Sequence, residues 1–270
     1  MKTSKLEQLD STFQIINQSR FDVRDLPILV PAINQCFEEV DFTYKKLARL
    51  IEKDLVLSNV ILQLVNSGIF KRPSTVTSLD NALMMLGFAM IRNLIFTFKL
   101  KALLNKHDLT MQVSLTKRWL FTLKHAATAM ELAKSLKMRQ AEEIFLAIIF
   151  SDIAAFMLAD KYQNNDAEFD EKDFYAKADK LKFVYGAKAL KSWNFNEKTL
   201  AVLKKTESNL LSDLDIIKLS YYHIKSNKNI EETAEFKRLP IAIQLAYGKH
   251  QLLILKEKEQ DIRSLVKSLS

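Results

Sequence analysis

Two side chains with chemical capacity lie inside apolar helical sequence: His125, in Lys124-His125-Ala126-Ala127, and Asp152, in Ser151-Asp152-Ile153-Ala154. Asp152 falls within the strongest apolar run of the chain, residues 144–158. A carboxylate in such surroundings needs a polar partner, and an imidazole can supply one. A hydrogen bond between His125 and Asp152, joining neighbouring helices, is therefore expected. Other chemistries lack their residues. There is no Gly-rich phosphate loop, dinucleotide fingerprint, HExxH zinc helix or nucleophile elbow. The single Cys36 excludes an internal disulfide and a cysteine-based zinc site, and its apolar helical setting marks it as a small core residue. His107 falls on a polar turn and His250 on an amphipathic stretch, neither with a metal-spaced partner. Glu142 and Glu143 sit side by side at a helix start, where they complement its dipole.

The elements that position these residues are helices. The 270 residues hold only four Gly and four Pro, too little punctuation for antiparallel sheets, while 48% are hydrophobic and 27% charged, the balance of a folded soluble protein. The expected class is all-α. Residues 1–10 carry no signal-peptide apolar region, and the run at 144–158 is too short to span a bilayer, so no membrane span and a cytoplasmic location are expected. The net charge of +8 is spread among many acids. Nucleic-acid binding is therefore not expected, unless Lys99, Lys101, Lys117, Arg118 and Lys124 form one contiguous basic face.

Periodicity and capping residues divide the chain further. Helices are expected at 6–17, from Pro31 to 39, at 44–53 behind a Thr43 cap, and at 55–65, the last apolar nearly all round and so buried. A helix at 79–86 follows Ser78 and ends at Gly87 in a left-handed conformation; another covers 88–104. Beyond the turn at 105–108 come helices at 111–136, 140–161, 174–193, a short one capped by Asn196, 213–225, 239–247 and 249–269. Residues 163–173 form an acidic loop with five carboxylates and one lysine. Asp54 can cap the helix that follows it, and Asn66 can take a left-handed backbone and tie the next loop through its side chain.

From residue 26 to about 104 several short motifs occur in order: Leu26-Pro27, Ile51-Glu52-Lys53-Asp54, Leu64-Val65-Asn66-Ser67, Val76-Thr77-Ser78-Leu79, Ala82-Leu83 and Leu86-Gly87. This series resembles the opening of an HDOD domain, with Asp54, Asn66, Ser67 and Gly87 as its structural positions. The resemblance implies an HD-domain-like multi-helix bundle, with an N-terminal helical lobe packed on a C-terminal HD-like lobe. The organisation expected is a lead-in at 1–25, a domain at 26–222 with lobes of about 26–107 and 108–222, and helices at 223–270 completing the bundle.

Active members of the related HD superfamily hold a divalent cation with a His, a His-Asp pair and a distal Asp on successive helices. A cation needs several nitrogen and oxygen ligands converging from different helices. By this resemblance His125 matches the first His and Asp152 the Asp of the pair. Ser151 stands where the paired His belongs, Tyr221 in Ser220-Tyr221 where the distal Asp belongs, and Lys182 where a further His falls in the phosphodiesterase branch. No metal, cofactor or catalytic residue is expected. An alternative for the vestigial cleft is an anion or nucleotide pocket neutralised by Lys124, Lys182 or Lys204; Asp213, Asp215 and His223 are candidates as substitute ligands. The function the resemblance implies is a non-catalytic bacterial signal-transduction module that works through a protein partner. The competing readings are a degenerate phosphohydrolase and a nucleotide-binding regulator. A homodimer stays open, because the apolar face of the last helix could cover its own core or a second subunit.

Overall fold

In the computed structural model, residues 29–66, 75–101, 108–163, 170–192, 213–225 and 249–269 are described. Their regular structure is entirely helical: α1 Leu29–Glu38, α2 Tyr44–Ile51, α3 Leu55–Val65, α4 Leu79–Lys101, α5 Leu109–Ser135, α6 Ala141–Ser151, α7 Ile153–Gln163, α8 Glu171–Ser192, α9 Asp213–Lys225, α10 Lys249–Glu257 and α11 Glu259–Leu269. The helices expected at 6–17, after Asn196 and at 239–247 lie outside the described residues, as do residues 164–169 of the acidic loop and both Ser67 and Lys204.

Local rules account for most boundaries. Thr43 accepts from Lys46 N at 3.2 Å, Asp54 from Leu57 N at 3.0 Å and Asp108 from Met111 N at 2.9 Å, each satisfying an amide that has no partner within its own helix. α5 ends in a Schellman motif, with Met138 N donating to Ala133 O and Lys137 N to Lys134 O. Its left-handed residue is Lys137, at φ 56°, so no glycine marked this stop in the sequence.

Two apolar clusters form. The first joins Ile33 and Cys36 of α1, Leu47 and Ile51 of α2, Leu57 and Ile61 of α3, and Leu83, Ile91 and Ile95 of α4. The second is larger and centres on α5, where the small residues Ala126, Ala127, Ala129 and Ala133 let α6, α9 and α11 approach closely. α4 serves both clusters. Ile91 and Ile95 face the first, whereas Leu94, Phe96 and Leu100 face the second. Gly87, at φ 73° and ψ 162°, kinks α4, a conformation in which a Cβ would be strained. Asn93 then fastens α4 to the start of α6 through Nδ2 and Glu142 O, at 3.0 Å.

Four expectations are corrected. α3 is not buried all round: Leu57, Ile61, Leu64 and Val65 are buried, while Leu55 and Val56 are 80% and 63% exposed, since α3 packs on α4 and α11 from one side. The helix expected at 140–161 is broken at Asp152, where Asp152 N bonds Ile149 O and Ala155 N bonds Asp152 O. The last helix is interrupted at Lys258. Asn66 has φ −87° and ψ 0°, a right-handed backbone, and its side chain ties it to Val76. The apolar face of the C-terminal segment covers its own core, with Leu255, Ile262, Leu265 and Leu269 all buried there. Among the described residues no single helix is long and apolar enough to cross a membrane.

Candidate functional site

The break between α6 and α7 places Asp152 at the head of a cleft between α5, α8 and α9. The α5 wall is a polar stripe. Ser114, Arg118, Thr122 and His125, spaced four, four and three residues apart, share one helical face. α8 contributes Glu171, Tyr175, Asp179 and Lys182, and α9 contributes Ile217 and Tyr221. The cavity measures about 380 Å³.

Asp152 is only 4% exposed, and both its oxygens are engaged. Oδ1 accepts from Arg118 Nε at 3.0 Å and from Nη2 at 2.6 Å, and Oδ2 accepts from the Thr122 hydroxyl. The same Nη2 donates to Asp179 Oδ1 at 2.6 Å, so one guanidinium bridges two carboxylates. It lies over the Tyr175 ring, 4.9 Å from the centroid. Tyr175 OH is 2.8 Å from Ser114 Oγ, which donates to Glu171 Oε1 at 2.6 Å. Burial works against the Arg118 charge, but Asp152 and Asp179 more than offset it and raise the guanidinium pKa above its ordinary value.

His125 turns the other way. Its Nε2 donates to Ile217 O of α9 at 2.9 Å, a contact that fixes the neutral tautomer with the hydrogen on Nε2. Burial pushes its pKa down to about 4, against the opposing pull of the Ile217 carbonyl and Asp152. The Tyr221 ring packs edge-on to the imidazole with centroids 5.7 Å apart. The hydrogen bond expected between His125 and Asp152 is thus replaced by two others. A charged guanidinium with two N–H donors on Oδ1 is a stronger partner for Asp152 than a neutral imidazole, and the α9 carbonyl accepts the imidazole N–H.

The sequence-derived positions therefore part company. His125, Ser151, Asp152, Tyr221 and Lys182 line the cleft. Lys124 is exposed and is not among the residues that line it. Ser151 Oγ bonds back to Ile148 O of its own helix at 2.8 Å. His223 is not a lining residue either, and the side chains of Asp213 and Asp215 lie outside the described residues. Arg118, placed by sequence in a possible outward basic face, points inward instead. Neither Asp179, its second carboxylate, nor Thr122, which donates to Asp152 Oδ2, stood out in the sequence. The four-residue spacing from Ser114 to Arg118 to Thr122 was the available signal.

These residues do not suit the divalent cation of HD enzymes. Arg118 and Thr122 fill three of the roughly four acceptor sites of the Asp152 carboxylate, and the fixed guanidinium charge beside it opposes a cation. Among the described residues no three His, Cys, Asp or Glu side chains converge as a metal site requires.

The profile of the HDOD domain family matches residues 24–208. The chain belongs to the HDOD domain family. Solved structures carry the same HDOD-type helical fold along 91% of this chain. They include two Shewanella amazonensis SB2B proteins described as putative phosphohydrolases, the first of them metal-dependent. The first shares 16% identity at a TM-score of 0.72 over 91% of its own chain; the second shares 18% at 0.59 over 94%. An HDOD domain protein of unknown function from Geobacter sulfurreducens shares 17% identity at a TM-score of 0.58, with 92% of that chain covered. No curated protein matches the HDOD chain. Within the matched HDOD segment lie Asp54, whose carboxylate caps α3, and Asn66, whose amide closes the loop to Val76.

Proposed function

We propose that this HDOD chain is a non-catalytic regulatory module of signal transduction, acting in the cytoplasm through contacts with a protein partner. The observation that supports this reading is the state of Asp152: Arg118 and Thr122 hydrogen-bond both its oxygens and set a permanent positive charge beside the carboxylate that matches the metal-binding Asp of HD enzymes. His125 is likewise committed, through Nε2, to the backbone of α9. A role in contacts is supported by Leu109, Val113 and Leu120, exposed apolar residues whose spacing aligns them along one side of α5.

The test is elemental analysis of untagged protein alongside His125→Ala and Asp152→Ala. The expected result is no stoichiometric metal in any of the three. Near-stoichiometric iron, manganese or zinc that disappears in both variants overturns the proposal and directs the search to a phosphoester substrate.

A nucleotide-binding regulator is the second reading, and the cleft favours it to a degree. Lys117 and Lys182 stand beside the aromatic Phe121 and Tyr221, in a volume that admits a small ligand. Arg118 is already committed to carboxylates, however, and Asp152, Asp179 and Glu171 balance the three cations. A rise in melting temperature with nucleotides, abolished by Lys182→Ala, would move this reading ahead.

A further inference from the structure

A second cavity, of about 500 Å³, opens where the two apolar cores meet and shares no lining residue with the cleft around Asp152. α5 presents a different face to each. Ser114, Arg118, Thr122 and His125 face the cleft, whereas Ala127, Met130, Glu131 and Lys134 repeat at helical spacing along the cavity. The other walls include Leu64 of α3, Phe88 and Met90 of α4, Glu142 of α6 and Leu265 of α11. At the α4 kink a Cβ on Gly87 would meet nothing within 4 Å, so the bend leaves open space beside the backbone. Phe88 lines the cavity while 39% exposed, and Phe37 backs its ring at a centroid distance of 4.2 Å. An apolar cavity of about 150 Å³ admits benzene, so this one has room for an alkyl or aryl body with a head group.

The charges at the cavity set the sign of that head group. Three carboxylates, Glu131, Glu142 and Asp261, face one lining ammonium, Lys134. Asp261 is paired from outside the lining by Lys258, at 3.0 Å. Glu131 and Glu142 have only Lys134 in common, at 3.5 and 3.8 Å, longer than a good hydrogen bond. Acceptor capacity and negative charge are therefore left over beside an apolar chamber with an aromatic wall, a combination that suits an ammonium and repels an anion.

We propose that this cavity binds a small amphipathic amine, with its apolar body among Leu64, Met90, Met130 and Leu265 and its ammonium drawn to Glu131 and Glu142. Such a ligand touches elements of both cores. The proposal does not rest on the reading of the Asp152 cleft, and a metal found there would leave it standing.

The test is calorimetric titration with three probes of equal chain length: octylamine, 1-octanol and octanoate. Octylamine should bind saturably at one site, octanol more weakly, and octanoate not at all. The chain as a whole carries +8, so non-specific attraction favours octanoate, and a preference for the amine reports the local charges. The double variant Glu131→Gln with Glu142→Gln should weaken octylamine by roughly tenfold or more and leave octanol unchanged. Met90→Trp, which fills the cavity, should abolish binding of both. Failure of octylamine to bind overturns the proposal, as do octanoate binding as tightly and octylamine affinity that survives either the double variant or Met90→Trp. Where Met90→Trp does not fold, the double variant decides, because its two altered side chains are partly exposed.

Discussion

The two apolar cores of this chain are pinned by different kinds of polar contact. Around the first, the ties are local and run from side chain to backbone. Thr43 and Asp54 cap the helices that follow them, and Asn66 pairs with Val76 through both amide atoms, at 2.8 and 2.7 Å, while also donating to Leu62 O. Around the second, the ties cross long stretches of sequence. Arg118 meets Asp152 and Asp179, Ser114 meets Glu171, and His125 meets the carbonyl of Ile217. The first set is mostly neutral and wet, so water can replace what a mutation removes. The second is charged or desolvated, and whatever loses its partner there stays without one. Conserving shape matters at the first; conserving charge matters at the second.

The contrast can be broken most forcefully at Asp152. Asp152→Ala leaves Arg118 with only the half-exposed Asp179 and strips Thr122 of its acceptor, so a loss of about 3–5 kcal/mol is expected in urea denaturation. A loss below about 1 kcal/mol would place this node in the same class as the local ties.

His125 should give a smaller, pH-dependent effect. Its folded pKa of about 4 lies below the ordinary histidine value of 6.5, so the unfolded chain takes up the proton first. The stability contributed by burying the neutral ring is fully present above pH 6.5 and is lost progressively as pH falls towards 4. His125→Gln, which keeps a donor for Ile217 O, should flatten the stability profile across that window. An unchanged slope would show that the imidazole does not remain neutral in the fold.

Asn66→Ala should cost least, about 1 kcal/mol, because the groups it frees are exposed and water can reach them. The distinctive sign is local. Hydrogen exchange at the Val76 amide should accelerate while the amides of α5 stay protected. Faster exchange in both regions would mean that the two cores are coupled through α4 more tightly than their separate polar ties imply.

Much of the first core was legible because its rules are short-range. A capping residue and the amide it receives lie three residues apart, so Thr43 and Asp54 could be read directly from the sequence. The helix at 55–65 was placed correctly, yet its burial was misjudged, because an all-apolar pattern does not reveal which side a neighbouring helix will cover. Lys137 shows a second limit: a left-handed helix stop needs a backbone conformation that glycine favours, but here lysine adopts it within the Schellman hydrogen bonds that end α5.

At the cleft, the sequence pattern set His125 and Asp152 within apolar helical runs, and the resemblance to HD proteins implied an incomplete ligand set. The four-, four- and three-residue spacing of Ser114, Arg118, Thr122 and His125 also carries their common helical face. Only the tertiary structure decided the pairing. The break after α6, together with the approach of α8, brought Asp152 Oδ1 to Arg118 and Oδ2 to Thr122. The imidazole was left to the α9 carbonyl. Helical periodicity fixes which way a side chain points, but it carries no information about which of two distant helices will bring the stronger partner to meet it.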